Sequence, residues 1–390
     1  AESCGVPIIK GTNGDTDLAA AQVFFQQLPP GAQMLIKARA GGGGRGMRIV
    51  ETIEQLPKLL ERCQSEAKAA FGDASVYVEQ LVPRARHIEI QIIGDGENIC
   101  HLWERECSAQ RNHQKVIELA PAPGLDPIMR QSLIDAAMTM AASAHYLSLG
   151  TFEFLLDRDK SGQFYFIEAN PRLQVEHTVT EAVTGVDLVQ TQLHLANGET
   201  LDTLGLLDSD RPLPRGFAIQ TRINMESLSL KTPASPRFKP TGGTLAVFEP
   251  PTGPGIRVDS FGYAGYQTST RFDSLLAKLI VHSSSSEFVD CARKTYRALT
   301  EFRIEGFDTN IPFLMNLVQS EAFKTNDIYT RFVDENLTAL AIQTEHEALY
   351  FSSSHSASAA SAESTDSHKL AGSKLTSRDP LAVLNHGKST

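Results

Sequence analysis

Residues 37–48 read KARAGGGGRGMR, and the segments on either side of this glycine run decide the fold around it. From Gly41 to Gly46 the run matches G-x-G-x-x-G, a dinucleotide-binding turn that requires a strand before it and a helix after it. Apolar runs instead flank the glycines on both sides, at residues 34–38 and 47–50, which predicts two strands. The expected structure is therefore a β-hairpin whose glycine tip closes over phosphate with its backbone N–H groups.

The segments that follow predict a helix, a strand and a loop. Thr52 and Gln55 are spaced as a capping box, and Gly72 follows the last apolar position, which predicts a helix between them. Residues 87–92, HIEIQI, alternate polar and apolar side chains and, taken alone, favour a half-buried strand with a solvated polar face, although the polar segment that follows shifts the balance toward a functional site. Residues 104–118, ERECSAQRNHQKVIE, show little apolar periodicity and predict a polar loop.

The composition excludes several classes of protein. The chain has 390 residues, more than one domain usually holds, so two or three packed units are expected. With 41% hydrophobic and 21% charged residues it is typical of a soluble globular protein, and no apolar run approaches the roughly 20 residues of a membrane span. A net charge of -10 argues against general nucleic-acid binding, although a small anion could bind near Arg105, Arg111, His113 and Lys115. The five cysteines show no C-x-x-C spacing, which predicts neither disulfides nor a zinc site and indicates a reducing compartment.

A row of polar side chains lies at residues 168–176, EANPRLQVE, at the end of the predicted hairpin formed by TFEFLLD and QFYFIEAN. On an extended backbone, alternate side chains point to the same side: Glu168, Asn170, Arg172, Gln174 and Glu176. With Glu153 on the first arm of the hairpin, two carboxylates and an amide suit Mg²⁺ or Mn²⁺ better than zinc. The arginine beyond them can clamp a planar anion, and the final carboxylate can act as a base. The alternative is a chance polar row on an exposed edge strand.

Later segments are also predicted from their patterns. GFAIQTRIN, residues 216–224, is typical of a strand, in which Arg222 is either a surface salt-bridge partner or a site cation. Residues 286–302 show the amphipathic pattern of a helix. Residues 352–367 are low in complexity, cannot bury enough apolar surface to fold, and are interpreted as a tether.

Seven motifs occur in the order of a known family, from the first residues to about residue 320. They are IKARAGGGGRGMR, RHIEIQIIGDG, ERECSAQRNHQKVIE, FEFLLD, YFIEANPRLQVEHTVTE, TRIN and FRIEGFDTNIPFL. Together they resemble the biotin carboxylase component of biotin-dependent carboxylases, a branch of the ATP-grasp superfamily. The resemblance implies an α+β fold, in which two ATP-grasp lobes around a nucleotide cleft precede a biotin carboxylase C-terminal α+β domain. The implied divisions are a remnant of the N-terminal domain at 1–33, a small lobe with the glycine flap at 34–83, a large lobe with the metal and bicarbonate site at 84–208, the C-terminal domain at 209–335 and a low-complexity linker at 336–390.

The resemblance also implies a reaction. Biotin would be carboxylated by bicarbonate in an ATP-dependent ligase reaction through carboxyphosphate, as the first half-reaction of an acyl-CoA or pyruvate-type carboxylase. The implied ligands are ATP, Mg²⁺ or Mn²⁺, and biotin on a carrier domain, and a carboxyltransferase domain is the implied second partner. The complete protein is expected to be a homo-oligomer in the cytoplasm, or in the mitochondrial matrix of a eukaryote, with no nucleic-acid or membrane partner.

The site residues implied by the resemblance form three groups. The nucleotide group is Lys37 at the α- and β-phosphates, Gly43 and Gly44 in the flap, Glu79, Gln80, Leu81 and Val82 in the hinge at adenine, and His87, Gln110 and His113. The divalent-cation ligands are Glu153, Glu168 and Asn170. The bicarbonate group is Lys115, Arg172, Gln174 and Val175, with Glu176 as general base and Arg222 stabilising the biotin enolate.

The chain departs from the family's pattern at several points. It begins near the end of the family's N-terminal domain, so most of that lobe is expected to be missing. Gln80 replaces a lysine of the hinge, and Asn112 replaces the second basic residue of the family's QRRHQK loop. No biotin-accepting MKM motif is present, so the biotin must come from elsewhere. Two other functions stay open: a non-catalytic nucleotide-binding fragment, and another ATP-grasp ligase such as one that makes carbamoyl phosphate.

Overall fold

In the computed structural model, the described residues are 1–41, 46–207, 209–229, 237–342, 346 and 348–350. The predicted flap residues Gly43 and Gly44, and the predicted tether at 352–367, lie outside the described residues. Within the described part the strands are β1 (Met34–Ala38), β2 (Met47–Val50), β3 (Val76–Gln80), β4 (Ala85–Asp95), β5 (Ile99–Arg111), β6 (Gln114–Ala120), β7 (Leu147–Asp157), β8 (Phe164–Asn170), β9 (Phe217–Asn224), β10 (Glu226–Ser229), β11 (Arg237–Pro240), β12 (Val247–Glu249), β13 (Ile256–Ser260), β14 (Leu275–Ser283) and β15 (Arg303–Glu305). The α-helices there are α1 (Leu18–Gln27), α2 (Leu56–Phe71), α3 (Pro127–Ser143), α4 (His177–Thr184), α5 (Leu188–Ala196), α6 (Phe288–Glu301), α7 (Ile311–Gln319), α8 (Glu321–Lys324), α9 (Phe332–Glu335) and α10 (Leu337–Ala341).

The predicted hairpin forms part of a small sheet. β1 and β2 are antiparallel, and β3 pairs with the other edge of β1. Helix α2 packs against this sheet and ends at Gly72, whose φ of 77° is a left-handed conformation that glycine adopts without steric cost. The capping box is wrong in detail, because Thr52 makes no side-chain cap and a 3₁₀ turn at Ile53–Gln55 precedes the helix. A strand follows the glycine run, so the dinucleotide-turn alternative is wrong.

Eight strands build the larger sheet, in the order β13-β14-β9-β6-β5-β4-β7-β8, with every neighbouring pair antiparallel. Helix α3 packs against β4 and β5, and α6 packs against β9 and β14. Because β9 pairs with β6, the sheet continues across the predicted division between residues 208 and 209. The domain divisions remain predictions. Strands from both sides of the division at residues 208 and 209 belong to the same sheet. None of the described helices combines the length and apolar character that a membrane crossing requires.

Two predictions for the centre of this sheet are wrong. The predicted loop at 104–118 belongs to strands β5 and β6, which are joined by a turn at Asn112 and His113 with φ of 48° and 62°. In β4, the polar face predicted to be solvated at 87–92 is buried, and none of its three side chains exceeds 6% exposure. Both errors have one physical cause. Polar side chains on adjacent strands bond to one another rather than to water, so the usual link between polarity and exposure fails here.

Candidate active site

Buried charges meet at the centre of the large sheet, around the ammonium group of Lys115. Lys115 lies on β6, and its Nζ is 2.6 Å from Glu89 Oε2, 3.2 Å from Glu153 Oε1 and 2.5 Å from Glu176 Oε1. Glu89 on β4 stands directly opposite Glu153 on β7, so the strand register brings these two carboxylates together. The three carboxylates are at most 2% exposed, and the cation among them offsets the cost of burying their charge.

Arg105 supports this cluster from within the sheet. It is completely buried, its Nε is 2.5 Å from Glu89 Oε1, and its guanidinium donates to four further side-chain oxygens. Arg111 is bidentate to Glu226, with distances of 2.8 and 3.0 Å. Each of these guanidiniums is buried as well as paired, so neither is open to the small anion that the sequence suggested there, whereas the side chain of Lys115 is partly exposed.

Arg222 on β9 joins the cluster from the predicted C-terminal domain. Its Nε is 2.5 Å from Glu118 Oε1, and its Nη2 is 3.1 Å from Glu176 Oε2. Gln220 on the same strand donates to Glu118 Oε2 at 2.9 Å, so both oxygens of this buried carboxylate have partners. Of the two roles left open for Arg222, a surface salt bridge is wrong, since both of its carboxylate partners are buried.

The protonation equilibria reflect this balance of charges. Burial would raise the pKa of Glu176, but Lys115 and Arg222 outweigh it and lower that pKa to about 2. Burial would lower the pKa of Lys115, but the carboxylates around it hold that pKa well above its usual value. Glu176 is therefore ionised at neutral pH.

The predicted metal ligands lie at the rim of this cluster. β7 and β8 pair Glu153 with Glu168, and the amide nitrogen of Asn170 donates to Glu153 Oε1 at 3.0 Å and to Glu168 Oε1 at 3.1 Å. The Asn170 amide nitrogen thus lies between two carboxylates, at the position that a bound cation would take. Rotating that amide by 180° would place its oxygen, a metal ligand, at the same position. Burial would raise the pKa of Glu153, but His87 and Lys115 hold it well below its usual range. These ionised oxygen donors fit a hard divalent cation.

The prediction that residues 168–176 form one extended segment is wrong. Strand β8 ends at Asn170, and the following Pro171 has no N–H to continue the strand pairing. The backbone then turns, and the N–H of Arg172 donates to the carbonyl of Asn170 at 2.8 Å. Residues 175 and 176 form a turn immediately before α4. Alternate side chains beyond the strand therefore do not share one face.

Side-chain contacts nevertheless join most of that row. Gln174 is buried, and its Nε2 donates to Glu153 Oε1 at 2.7 Å. Arg172 is exposed, and its Nη2 donates to Asn170 Oδ1 at 3.3 Å. Within the described ranges, no carboxylate oxygen lies within 4.0 Å of the Arg172 guanidinium. The rim therefore holds an exposed cation that is available to an incoming anion.

Lys37 lies on the small sheet and His113 in the turn between β5 and β6 of the large sheet, and both are predicted nucleotide residues. Lys37 on β1 places its Nζ 3.2 Å from Glu79 Oε1 on β3. Burial would lower the pKa of Lys37, but Glu79 and Tyr77 together outweigh it and raise that pKa. The pKa of His113 is lowered mainly by burial, and the charge of Lys37 contributes to the shift. The structure thus pairs Lys37 with Glu79, while the nucleotide roles of all three residues stay predictions.

The predicted adenine hinge offers one free backbone donor. The N–H of Gln80 donates to the Lys10 carbonyl at 2.8 Å, and that of Leu81 donates to the Gln33 carbonyl at 2.9 Å. In the described part of the chain, the N–H of Val82 has no hydrogen-bond partner, and this residue is 9% exposed. A buried donor without a partner is costly, so a hydrogen-bond acceptor on a ligand would be favoured at Val82.

His87 and Gln110, which were predicted to bind nucleotide, lie next to the predicted metal ligand Glu153. His87 Nε2 is 2.6 Å from Glu153 Oε2, and its Nδ1 is 2.7 Å from Gln110 Nε2. Gln110 also donates to the Cys107 carbonyl at 2.8 Å. These contacts orient the imidazole toward a predicted metal ligand, while the nucleotide role of both residues stays a prediction.

Sequence reasoning missed the residues that support the site. Two buried carboxylates that bind predicted residues were not among them: Glu89, which accepts from Lys115, and Glu118, which accepts from Arg222. The signal that could have found them is the presence of charged and amide side chains inside segments with strand character. Such residues are kept in a central strand only when the fold supplies partners.

The described structure is an α+β protein with an ATP-grasp fold, and comparisons with known proteins specify the family. The family described as "Carbamoyl-phosphate synthase L chain, ATP binding domain" matches residues 1–204, and the "Biotin carboxylase C-terminal domain" matches residues 220–335. The biotin carboxylase domain of 2-oxoglutarate carboxylase from Hydrogenobacter thermophilus, solved as a dimer with MgADP, ADP and bicarbonate, has a TM-score of 0.80 and 36% identity. That match covers 87% of this chain and 72% of the other. The chain belongs to the biotin carboxylase family of ATP-dependent ligases.

Multidomain carboxylases match the same part of the chain. Pyruvate carboxylase from Schizosaccharomyces pombe is 44% identical over 335 residues, which are 85% of this chain and 27% of that protein. The structure of Rhizobium etli pyruvate carboxylase with acetyl coenzyme A has a TM-score of 0.79 and 38% identity, covering 89% of this chain and 30% of the other. The chain thus spans about a quarter of the length of the curated pyruvate carboxylases that it matches.

Proposed function

We propose that this chain carboxylates biotin with ATP and bicarbonate, the first half-reaction of a larger carboxylase. One observation carries the proposal: Glu176 is held between Lys115 at 2.5 Å and Arg222 at 3.1 Å, next to a rim that bears the exposed Arg172. A carboxylate surrounded by cations suits a reaction in which an anion must first be bound and then deprotonated. Bicarbonate is such an anion, since it is a poor nucleophile until it loses its proton.

Binding of bicarbonate would also prepare the base. The anion would share the cations Lys115 and Arg222 with Glu176, and the pKa of Glu176 would rise from its value of about 2. Glu176 would then accept the bicarbonate proton, and the resulting carbonate would attack the γ-phosphorus of ATP, forming carboxyphosphate and releasing ADP. The small sheet would contribute Lys37 to the phosphates and the free N–H of Val82 to adenine.

The metal ligands complete this arrangement. Glu153, Glu168 and Asn170 would hold Mg²⁺ or Mn²⁺, whose chemistry is to neutralise charge on the transferring phosphoryl group. His87 would keep the Glu153 carboxylate oriented, as its imidazole lies 2.6 Å from that group. The protein therefore holds two carboxylates and an amide next to the proposed base, on the paired strands β7 and β8.

The second chemical step would use Arg222. Carboxyphosphate would decompose to CO₂ and phosphate, the phosphate would take the proton from biotin N1′, and N1′ would then attack CO₂. The guanidinium of Arg222 would stabilise the negative charge on the biotin carbonyl oxygen. Its side chain is 19% exposed, unlike the completely buried Arg105, so a substrate can reach it.

We further propose the partners of the complete protein. The biotin would be carried on a separate domain, a carboxyltransferase domain would accept the carboxyl group, and the similarity to pyruvate carboxylases favours pyruvate as the final acceptor. The dimer in which the 2-oxoglutarate carboxylase domain was solved supports a homo-oligomer, and five free cysteines are consistent with a reducing compartment such as the cytoplasm or the mitochondrial matrix. The matching C-terminal domain favours this proposal over a carbamoyl phosphate-forming ligase.

The test is the substrate dependence of ATP cleavage. ADP release is measured with Mg-ATP in the presence and absence of bicarbonate and free biotin, and with ammonia in place of biotin. We expect cleavage that requires bicarbonate and is stimulated by biotin. Stimulation by ammonia alone would identify the other ATP-grasp ligase, and calorimetric binding of Mg-ATP without cleavage would identify a non-catalytic nucleotide-binding fragment.

A further inference from the structure

The turn that carries the proposed base has little regular structure of its own. Strand β8 ends at Asn170 and α4 begins at His177, so residues 171–176 belong to no helix or strand. Glu176 occupies the position before the first residue of α4, and its side chain does not cap that helix. Contacts from other elements must therefore set the direction of the Glu176 side chain.

Lys278 supplies such a contact from the large sheet. It lies on β14, and its Nζ donates to the carbonyl oxygen of Val175 at 3.1 Å. Its side chain is 12% exposed, which makes this a hydrogen bond from a largely buried cation. Lys278 stands directly opposite Arg222 on β9, so both cations project from the same face of the sheet. One of them contacts the carboxylate of Glu176, and the other contacts the backbone just before it.

Lys278 is itself held on its other side. Asp259 on β13 is its directly opposed neighbour, and Asp259 Oδ2 lies 3.3 Å from Lys278 Nζ. Arg257 donates two hydrogen bonds to the same carboxylate, from Nε to Oδ1 at 2.8 Å and from Nη2 to Oδ2 at 3.0 Å. Asp259, Lys278 and Arg222 therefore form one row across three adjacent strands. Because Asp259 already restrains the ammonium group of Lys278, the hydrogen bond to the Val175 carbonyl costs less side-chain conformational entropy.

We propose that Lys278 is a positioning residue for the reaction, and that it acts through the Val175 carbonyl. By holding that carbonyl, it fixes the peptide plane between Val175 and Glu176, and with it the direction of the Glu176 carboxylate toward Lys115 and Arg222. The inference rests on the proposed function, in which Glu176 is the base. Lys278 touches neither substrate nor reacting atoms in this role, so its effect is on geometry.

The test compares two lysines that both donate to backbone carbonyls. Lys278→Met removes the donor but keeps the length of the side chain. Lys294→Met is the matched control, because Lys294 on α6 donates to the carbonyls of Pro254 at 2.6 Å and His282 at 2.7 Å. Both variants are made in the full 390-residue chain. Amide hydrogen exchange of a peptide covering residues 171–180 is followed by mass spectrometry, which requires no catalytic activity.

For Lys278→Met we expect exchange in residues 171–180 to become about tenfold faster, because one charged hydrogen bond is lost. We expect kcat/KM for bicarbonate to fall by about tenfold as well, with the affinity for MgADP unchanged. Lys294→Met should leave the exchange of this segment and the kinetics as in the original chain. Lys278→Arg, which keeps a charged donor, should recover part of the lost activity.

The two proposals fail in different ways. If the original chain shows no bicarbonate-dependent ATP cleavage, the proposed function is wrong, while the exchange measurement still reports whether Lys278 orders the turn. Unchanged exchange in Lys278→Met would overturn the positioning role. An equal increase in Lys294→Met would also overturn it, since the effect would then be general loosening. Should Lys278→Met fail to fold, Asp259→Asn releases the head of Lys278, and we expect faster exchange in residues 171–180 there too.

Discussion

Two groups of charged side chains meet at Glu153, and their charges are balanced in different ways. In the buried centre, Lys115 and Arg105 are matched by carboxylates of the protein, at distances of 2.5 to 3.2 Å. At the rim, Glu168 and Arg172 are exposed, and the Asn170 amide is the contact that links them to the centre. The centre is therefore organised before any ligand arrives, whereas the charges of the rim are completed by the ligand.

The largest effect is expected for the residue in the centre that takes part in chemistry. Glu176→Gln removes the proposed base and should lower kcat for bicarbonate-dependent ATP cleavage by about 10²–10⁴-fold, as expected for loss of a positioned general base. Affinity for MgADP, measured by calorimetry, should be retained. Glu181→Gln is the control, because Glu181 lies on α4, the helix that follows Glu176, but pairs with the half-exposed Arg257. A Glu176→Gln variant with nearly full activity would contradict the proposed role.

The next prediction concerns stability of the centre. Arg105→Met removes a completely buried guanidinium and leaves Glu89 without one of its two cations. We expect the free energy of unfolding in urea to fall by about 3–5 kcal/mol, because a buried carboxylate loses a partner. Arg293→Met at an exposed pair with Asp290 should cost less than about 1 kcal/mol. Similar losses for both variants would mean that the centre is no more organised than the surface.

The pKa of Glu176 predicts how acid acts on the centre. That pKa is about 2 in the folded chain and 4.5 ordinarily, so the ionised group stabilises the fold above pH 4.5. This contribution, on the order of 3 kcal/mol, should be lost as the pH falls from 4.5 toward 2. Urea unfolding at a series of pH values should therefore show a steeper loss for the original chain than for Glu176→Gln. Parallel curves would show that Glu176 is not held by cations in solution.

The smallest effect on the fold is expected at the rim. Glu168→Gln removes an exposed carboxylate, so the free energy of unfolding should change by no more than about 0.5 kcal/mol. Its affinity for Mg²⁺ or Mn²⁺ in the presence of ADP should nevertheless fall by about 10–100-fold, which a metal titration would measure. A Glu168→Gln variant that loses stability but keeps its metal affinity would contradict the conclusion that the rim binds the ligand while the centre stabilises the fold.

The predictions from local pattern succeeded where one segment determines its own structure. The hairpin at 34–50, the strand that contains Arg222 and the helix at 286–302 follow from apolar runs and turn residues, and the structure confirms them as β1–β2, β9 and α6. Patterns failed at 104–118, which is strand rather than loop. Periodicity assumes that polar side chains face water, and the polar side chains of β4 and β5 face each other.

The sequence by itself determined the family, because seven motifs occur in that family's order, and the roles of the site residues are predictions that follow from the resemblance. Only the tertiary structure decided how those residues are joined. Glu89, Lys115 and Glu176 are far apart along the chain, and their contacts depend on the register of β4, β5 and β6 and on the turn that follows β8. Ion pairs between distant segments leave no local pattern, since their energy comes from burial that exists only after the sheet has formed.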